Sequence, residues 1–439
     1  MHYFMMPRRL RPLPIVALLC FSILAACNCA NAQALAPLVK QGESVKWWFV
    51  FKFNATAFPG CFADATPTCI FGGKVQDYPR SSQKFVYATE KNPALREADK
   101  GCLGDSVDDP VGATFDQVFN GEFFYVVWND QFYLDPKLQC ARGNSCSAPW
   151  AHSKGMLAWD KNGAGFIMQV STPNWPGAGQ ADPPRAHGNT LGCLTQTKAS
   201  KIIPQNNIMY SQHFFAVQLN KEDLIGVLKA LKNAAVVTDP ENPQIVRNGG
   251  PPEIASLVEA LGETSGDKKF TKTQLSTPGV TLISKPANLH VPPWQMISAV
   301  LGGQSLRVAS WWNRNRIPTT TSATAIECWD EALLGKTSKL GLVEIAESGQ
   351  WKKTEIGLKG GQNHAKIGVS KSDNAPLSIF GDMNQEGALE GKCQLSQNGR
   401  GGLFFVVENE TLSKNIKLLL RGDTAGTSLD DDDTGSDDN

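Results

Sequence analysis

The chain has 439 residues, of which 42 are Lys or Arg and 42 are Asp or Glu, so its formal net charge is zero. That balance hides an uneven distribution, because three Arg lie close to the N-terminus and six Asp lie in residues 430–438. Without these two ends, 39 basic and 36 acidic residues remain. A mildly basic core permits a phosphate-rich partner but does not require one.

The first 32 residues have the features of an export signal. Three Arg precede an apolar run at 13–26, too short to span a bilayer well, and residues 30–32 read Ala-Asn-Ala, a cleavage site. We therefore predict a signal peptide over residues 1–32 and an exported protein, periplasmic or secreted. The alternative is a lipid anchor on Cys27, which ends a Leu-Ala-Ala-Cys box. No later stretch suits a membrane helix, so no integral membrane segment is expected.

Eight cysteines follow the signal peptide, and they form neither a CxxC pair nor a Cys/His cluster with metal-ligand spacing. An even number of cysteines in an exported chain favours disulfides over zinc. We therefore expect disulfide bonds, no metal site and no cofactor. Cys140–Cys146 and Cys61–Cys69 are plausible short disulfide loops.

Strand and helix patterns alternate along the remaining chain. Aromatic and β-branched runs predict strands at 44–53, 122–128, 306–312 and 402–407. Apolar periodicity and capping residues predict helices at 221–235, 252–261, 293–301 and 411–420. Strands interleaved with helices indicate an α/β sandwich.

The expected organisation is one compact unit of two lobes, at residues 33–239 and 240–425. A disordered acidic tail follows at 426–439. Pro and Gly residues in 236–252 indicate a looser join between the lobes. Residues 60–115 are rich in Gly, Cys and Asp, and we interpret them as a loop region stapled by disulfides.

The tripeptide His-x-Lys occurs twice, with His152 and Lys154 in the first copy and His364 and Lys366 in the second. In a strand, residues i and i+2 point to the same face, so each copy sets an imidazole beside an ammonium. Such a pair suits phosphoryl-transfer chemistry. The lysine neutralises the oxygens, while the imidazole attacks phosphorus or carries a proton.

Both copies continue in the same way. Each leads into an apolar run, a turn rich in Gly, Asn or Asp, a second apolar run and an asparagine, Asn174 in the first copy and Asn384 in the second. This is a hairpin pattern, and a hairpin returns its second strand beside its first. We therefore expect Asn174 near His152 and Asn384 near His364, in two related halves that share one site.

Two copies of a His/Lys/Asn hairpin resemble the phospholipase D superfamily, whose halves meet to form one site. Within it, the chain is similar to the deoxyribonuclease II family, in a match that spans roughly residues 45 to 410. The resemblance implies a bacterial exported member with an α/β fold, a phospholipase D-like pseudo-dimer of two α/β sandwich lobes with central mixed β-sheets. The segments that carry it are WFVFK at 48–52, WNDQ at 128–131, HSKG at 152–155, STPNWP at 171–176 and GDMN at 381–384.

The resemblance also implies an activity, that of an endodeoxyribonuclease which cleaves DNA without a metal and leaves 3′-phosphates. One histidine attacks the phosphodiester to form a phosphohistidine, and the other protonates the leaving 5′ oxygen and then activates water. The sequence does not determine which histidine attacks, and we favour His364. Lys154 and Lys366 would hold the non-bridging oxygens, while Asn174 and Asn384 would bind the phosphate or fix the imidazoles.

The superfamily's carboxylate after each lysine has no clear counterpart. The nearest acids, Asp160 and Asp373, lie at unequal distances from the two lysines, and Asp382 either orients an imidazole or caps a turn. The carboxylate that orients each imidazole is therefore unassigned. The resemblance further implies a Cys328–Cys393 disulfide, which leaves Cys102–Cys193 by elimination.

Two further residues are candidate substrate-binding groups. Trp175 is placed to stack on a base, with core packing as an equal alternative, and His187 either lines the cleft or lies in a surface loop. His213 and His290 are interpreted as structural. Two other functions stay open, a phospholipase D-type lipid phosphodiesterase and a catalytically inactive surface binding module. The sequence does not determine the oligomeric state.

Overall fold

The computed structural model describes most of the chain beyond residue 34. Outside the described residues lie the expected signal peptide, Asn174, His187, the tail beyond residue 428, and all cysteines except Cys146, Cys328 and Cys393. Besides Met1, the described residues are 35–54, 57–58, 84–98, 103–104, 106–132, 146–173, 175–176, 210–312, 315–334 and 342–428.

The described residues form two large sheets and two small strand pairs. The strands are β1 Leu38–Lys40, β2 Glu43–Ser44, β3 Trp47–Lys52, β4 Phe85–Thr89, β5 Arg96–Glu97, β6 Phe124–Asn129, β7 Lys154–Trp159, β8 Gly165–Val170, β9 Gln212–Leu219, β10 Val246–Arg247, β11 Thr271–Gln274, β12 Val280–Lys285, β13 Leu306–Ala309, β14 Val343–Ile345, β15 Ser348–Trp351, β16 Thr354–Gly357, β17 Ile367–Ser370, β18 Leu377–Gly381 and β19 Gly402–Glu408.

Helices lie between these strands, and the four predicted from periodicity and capping are present. The helices are α1 Pro110–Phe119, α2 Lys221–Ala234, α3 Pro252–Glu259, α4 Pro293–Val300, α5 Glu331–Leu334 and α6 Glu410–Leu419, with a 3₁₀ turn at Ser396–Gly399. Asn220 caps α2 by accepting the N–H of Asp223, as predicted. Asn409 caps α6 in the same way through Leu412. The longest described helix has 14 residues, and none of them has the length and apolarity needed to cross a bilayer.

The two large sheets repeat one strand order. The first runs β10-β6-β7-β8-β9-β3-β4-β5 and the second runs β14-β13-β17-β18-β19-β12-β11. In each, four strands lie side by side in chain order, β6-β7-β8-β9 in the first sheet and β13-β17-β18-β19 in the second, where β14, β15 and β16 come between β13 and β17 along the chain. The last strand of each set pairs with an earlier strand and leads into a capped helix. The α/β fold of two related halves is thereby confirmed. Only the second sheet is mixed, because β13 and β14 are parallel while the described pairs of the first sheet are all antiparallel.

The two His-x-Lys hairpins are present. Strand β7 pairs with β8, and β17 pairs with β18, both antiparallel. The first turn uses Gly163 at a φ of 88°, a conformation that glycine adopts without strain. Asp160 closes the same turn by accepting the N–H groups of Asn162 and Ala164. Each hairpin therefore brings the segment after its second strand back beside its lysine.

The core lies between the two sheets, which face each other through aromatic rings. Phe380 of β18 stacks on Phe49 of β3 at 4.2 Å and on Phe215 of β9 at 4.9 Å, and Phe215 also meets Phe405 of β19. All six residues of β3 are buried, as expected for a strand covered on both faces. The described residues from 35 onward accordingly belong to one compact unit.

Two segments differ from the expectations. Residues 60–115 were expected to be a loop region, yet they contain β4, β5 and the start of α1, with Asp109 accepting the N–H groups of Val111 and Gly112. The looser join expected at 236–252 is partly buried and contributes the edge strand β10, which pairs with β6. Strand β10 thus belongs to the first sheet, and the boundary at residue 239 stays a prediction.

The structure contains the Cys328–Cys393 disulfide that the resemblance implied. Its Cα atoms are 5.1 Å apart, and it closes a sequence separation of 65 residues. Cys146 is also disulfide-bonded, to a cysteine outside the described residues. The other expected pairings involve cysteines that lie there too.

Candidate active site

The first His-x-Lys motif is held by the second half of the chain. The backbone N–H of His152 donates to the carbonyl of Gly401 at 2.9 Å, just before β19. The ring Nδ1 of His152 lies 2.7 Å from the backbone carbonyl of Asp382, just after β18. A carbonyl oxygen only accepts, so this contact assigns the ring proton to Nδ1 and leaves the lone pair on Nε2.

The second motif is held by the first half. The backbone N–H of His364 donates to the carbonyl of Ser211 at 2.8 Å, and the N–H of Lys366 donates to Nδ1 of His213 at 3.1 Å. The imidazole of His364 stacks on the ring of Tyr210 at 4.5 Å, and Trp311 meets it edge-on at 6.1 Å.

These contacts follow the repeat. Ser211 precedes β9 and Gly401 precedes β19, the equivalent strands of the two sheets. Each half therefore supplies the carbonyl that fixes the other half's histidine. Neither motif has its complete set of contacts without the opposite half.

Lys154 and Lys366 are both buried, with 3% of each residue exposed, but their ammonium groups have different partners. Lys154 donates to Asp130 Oδ1 at 2.5 Å, and Arg400 donates to the other oxygen of the same carboxylate at 2.9 Å. Lys366 donates to the backbone carbonyl of His364 at 2.5 Å. The first lysine is thus part of a buried ion-pair cluster, and the second is held by its own motif.

Burial and the mutual repulsion of cations lower the pKa of both lysines. For Lys366, loss of water and then the charge of Lys154 bring the pKa to about 7. For Lys154 the lowering by burial is opposed by the charge of Asp130 and the hydrogen bond to it. The site therefore contains one lysine that titrates near neutrality and one whose positive charge a carboxylate stabilises.

Both imidazoles have a pKa well below 6.5. Loss of water is the main cause for each, followed by the lysine of its own motif. Lys366 also lowers the pKa of His152, and Lys154 also lowers the pKa of His364. Because each histidine responds to the lysine of the other motif, the two motifs form one electrostatic unit.

The carboxyl of Asp382 does not orient an imidazole. Oδ1 accepts from Gln169 Nε2 at 2.9 Å, and Oδ2 accepts from the N–H of Leu403 at 2.9 Å. Burial raises its pKa to about 7. The backbone carbonyl of Asp382 contacts His152 instead, so the residue acts through its main chain.

The nearest acids to the two lysines in sequence also have other partners. Asp160 closes the first hairpin turn, and Asp373 pairs with Lys417 at 2.5 Å on the surface. Neither contacts an imidazole in the described part of the chain. The imidazole of His152 is therefore oriented by a backbone carbonyl, whereas the described contacts of the His364 ring are with Tyr210 and Trp311.

The two predicted asparagines can be compared only in part, because Asn174 lies outside the described residues. Asn384 is buried and donates from Nδ2 to Glu386 Oε2 at 3.2 Å. Its Oδ1 is buried without a hydrogen-bond partner among the described residues. Asn384 thus has an amide oxygen still available for a donor.

Of the two alternatives expected for Trp175, the structure shows core packing and not an exposed ring. Trp175 is 1% exposed and its ring packs edge-on against Phe115 of α1 at 5.3 Å, so its faces are unavailable for stacking on a base. Its backbone carbonyl instead accepts from Asn129. His187, the other candidate, lies outside the described residues. Of the two histidines interpreted as structural, His213 is buried beside Lys366, and His290 is exposed.

Metal ligands were not expected in this chain. The described residues include no group of three or more His, Cys, Asp or Glu side chains arranged to hold a metal ion.

Comparison with known proteins gives the family directly. The model of the family described as deoxyribonuclease II matches residues 29–422. The chain belongs to the deoxyribonuclease II family. A curated relative is cell-death-related nuclease 7 of Caenorhabditis elegans, 23% identical over 389 residues that cover 85% of this chain and 83% of the relative.

Among solved structures, the chain is similar to yeast tyrosyl-DNA phosphodiesterase. A mutant of that enzyme matches with 10% identity and a TM-score of 0.31, covering 68% of this chain and 86% of that one. The structure described simply as yeast tyrosyl-DNA phosphodiesterase matches with 10% identity and a TM-score of 0.30 over the same shares.

Sequence reasoning missed several residues of this family member's site. Asp130 and Arg400 form the cluster around Lys154, while Tyr210 lies on His364 and Gly401 supplies a carbonyl. Asp130 lies in the matched segment at 128–131 but was not singled out as a site residue. The other three carried no sequence signal, because they lie outside both hairpins.

Proposed function

We propose that the chain is an exported, metal-independent endodeoxyribonuclease that cleaves DNA through a phosphohistidine and leaves 3′-phosphates. The observation that carries the proposal is the reciprocal arrangement of the motifs, in which each half fixes the other half's histidine. Two imidazoles and two lysines in one electrostatic unit can supply a nucleophile, a general acid and charge stabilisation for phosphoryl transfer. Membership of the family supports DNA as the substrate.

His152 is the nucleophile in this proposal. Its Nδ1–H donates to the carbonyl of Asp382, so Nε2 carries the lone pair that attacks phosphorus. Its pKa lies well below 6.5, which keeps the ring neutral and nucleophilic. The geometry therefore favours the opposite assignment to the one preferred from sequence, which gave this role to His364.

His364 is the general acid. The stacked ring of Tyr210 favours the imidazolium form, because a cation is attracted to an aromatic face. In the free enzyme the pKa of His364, like that of His152, lies well below 6.5. A bound phosphodiester adds a negative charge beside the ring and raises that pKa in the complex. His364 is then protonated at the moment when the leaving oxygen needs a proton.

The proposed reaction proceeds in two steps. In the first, a bond forms between His152 Nε2 and phosphorus, the bond to O5′ breaks, and the proton of His364 passes to O5′. In the second, neutral His364 takes a proton from water, the water oxygen bonds to phosphorus, and the bond to Nε2 breaks. The products are a 5′-hydroxyl and a 3′-phosphate.

The lysines stabilise the charge that develops on the phosphoryl oxygens. Lys366 reaches the site from the start of the second hairpin, and Lys154 reaches it from the first. The free Oδ1 of Asn384 can accept from a protonated imidazole or from water. Asn174 keeps its proposed role by analogy with Asn384.

The deciding experiment is nicking of a supercoiled plasmid in excess EDTA, followed by labelling of the new ends. Nicks with 3′-phosphates are expected. A His364→Ala variant, which cannot protonate the leaving oxygen, should still react with a p-nitrophenyl phosphodiester and accumulate a phosphate on His152. Loss of cleavage in EDTA with recovery in magnesium would contradict the mechanism. Turnover of phosphatidylcholine and not of DNA would support the lipid phosphodiesterase, and binding without turnover would support the binding module.

Export is proposed from the leader and the Cys328–Cys393 disulfide, since disulfides persist in oxidising compartments. The mass of the mature N-terminus tests it. Cleavage after Ala32 is expected, and an acylated Cys27 would indicate an anchored form.

A further inference from the structure

A buried carboxylate sits between one catalytic lysine and an arginine from the other half. Asp130 follows β6 and is completely buried. Its Oδ1 accepts from Lys154 Nζ at 2.5 Å, and its Oδ2 accepts from Arg400 at 2.9 Å. Two cations thus share one anion in a part of the molecule with little water, where removal of the carboxylate would leave both cations uncompensated.

Arg400 does more than pair with Asp130. Its guanidinium also donates to the carbonyls of Cys146 at 2.5 Å, Trp150 at 3.1 Å and Ala151 at 2.8 Å. These three residues belong to the segment that leads directly into His152. The arginine therefore fixes the approach to the first motif from across the interface between the halves.

The backbone of Arg400 is fixed in turn. Its carbonyl accepts from the buried Lys285 Nζ at 2.9 Å, and the same ammonium donates to the carbonyl of Asn398 at 2.8 Å. The next residue, Gly401, accepts the N–H of His152. The short loop that contains Arg400 and Gly401 thus contacts His152 directly, through a backbone carbonyl. It reaches Lys154 indirectly, because Arg400 pairs with Asp130 and Asp130 pairs with Lys154.

We propose that Asp130 and Arg400 are positioning residues for the first motif, Asp130 by fixing the ammonium of Lys154 and Arg400 by aligning the segment that carries His152. The inference rests on the proposed phosphodiester cleavage for its main assay. It is independent of which histidine attacks. Both side chains are buried, so in this proposal both act through their neighbours.

Asp130 and Arg400 have opposite effects on the pKa of Lys154. Asp130 raises the pKa of Lys154, whereas Arg400 lowers it. Loss of Asp130 should therefore discharge Lys154 at a lower pH, and loss of Arg400 should not. The other titratable groups that act on Lys154 or respond to its charge are Asp382, Lys366, His152 and His364.

The test compares Asp130→Asn, Arg400→Gln and Arg400→Lys by plasmid cleavage between pH 4 and pH 9. Asp130→Asn should lower kcat/KM by at least about tenfold at pH 7. It should also move the alkaline limb of the pH–rate profile to lower pH by about one unit, because Asp130 raises the pKa of both Lys154 and Lys366. Arg400→Gln should lower kcat without moving that limb down. Arg400→Lys keeps the charge but loses the planar fork, so kcat should also fall. Wild-type kcat and an unmoved limb in Asp130→Asn would overturn the inference.

Asp223→Asn is the matched control, because Asp223 is also a buried carboxylate with hydrogen-bonded partners. It lies in α2, beyond the far end of the eight-residue strand β9, roughly 25 Å along the strand from Ser211. This variant should keep the wild-type pH profile. If Asp130→Asn gives no folded protein, the two Arg400 variants test the inference. Wild-type kcat in both Arg400→Lys and Arg400→Gln would overturn it.

Failure of the proposed function is distinguishable from failure of this inference. If the wild type cleaves no DNA, calorimetric titration with inorganic phosphate at pH 6 and pH 9 replaces the cleavage assay. Wild-type protein should then bind phosphate more tightly than Asp130→Asn, with the larger gap at pH 9. Equal affinities at both pH values would show that Asp130 does not control Lys154.

Discussion

At the scale of single residues, we expect the charge on Lys366 to control when the site can bind phosphate. Burial and the neighbouring Lys154 bring its pKa to about 7, so the ammonium is charged below that pH and neutral above it. A neutral amine no longer stabilises phosphoryl oxygens. An enzyme that depends on this residue therefore works best on the acidic side of neutrality.

We expect kcat/KM for DNA cleavage to fall as pH rises through about 7, because kcat/KM reports ionisations of the free enzyme. Lys366→Arg should move this alkaline limb of the pH–rate profile to higher pH, since a guanidinium stays charged. Cleavage rates measured from pH 4 to pH 9 provide the check. Lys414→Arg, at an exposed lysine, is the control and should leave the limb in place. A wild-type rate that stays constant up to pH 9 would contradict the assignment.

The two histidines are expected to act as one unit. His152→Ala removes the proposed nucleophile and His364→Ala the proposed acid, so each should lower kcat on DNA by about a thousandfold or more. The double variant should be little worse than either single variant, because residues of one catalytic unit are strongly non-additive. Single-turnover cleavage measures all three.

The exposed His290 supplies the control for this series, and His290→Ala should cleave at the wild-type rate. Multiplicative losses in the double variant would mean that the two motifs serve separate sites.

At the scale of elements, the first hairpin leaves no room for a side chain beside Lys154. A Cβ added at Gly155 would lie 2.5 Å from the ring of Trp128 and 2.6 Å from the carbonyl of Met168. Trp128 cannot move freely, because its Nε1 donates to Ser153 Oγ at 2.8 Å. The glycine thus allows β6 and β8 to approach the strand that carries the lysine.

Gly155→Ala is expected to destabilise the fold by about 1–3 kcal/mol, the usual cost of overpacking a well-packed core. Urea unfolding followed by tryptophan fluorescence would measure it, and cleavage should fall because Lys154 is displaced. The control is Gly266→Ala, where an added Cβ meets no atom within 4 Å. Equal unfolding midpoints for the two variants would show that the hairpin relaxes around the methyl group.

At the scale of the whole molecule, the site exists only where the halves meet. The facing sheets share the ring cluster of Phe49, Phe215, Phe380 and Phe405, and the same interface carries both backbone contacts to the histidines. Packing of the core and assembly of the site are therefore one event. Loss of stability in either half should reduce activity as well.

The Cys328–Cys393 disulfide restrains the second half. Replacing both cysteines with Ser should lower the free energy of unfolding by about 4 kcal/mol, because the bond closes a 65-residue separation and limits the unfolded chain. Urea unfolding of the double Ser variant measures the loss. Substitution is preferable to reduction, since reduction would also open the disulfide of Cys146. An unchanged unfolding midpoint would mean that the loop entropy is offset elsewhere.

The sequence by itself determined the local parts of this protein. Both hairpins and the helices α2, α3, α4 and α6 were predicted, whereas α1 was missed. Hairpin pairing and helix capping act over a few residues, so periodicity and turn chemistry report them directly. The Asp109-Pro110 start of α1 was a usable signal that a Gly- and Cys-rich neighbourhood obscured.

Only the tertiary structure decided how the site is held. His152 and the carbonyl of Asp382 are 230 residues apart, and Arg400 and Asp130 are 270 apart. A backbone carbonyl has no side-chain signature, and a buried ion pair across two sheets has no fixed spacing. Trp175 likewise looked available for a base until the fold placed it against Phe115. The short motifs carry the reactive groups, whereas their proton placement and charge depend on contacts that form only when the halves pack together.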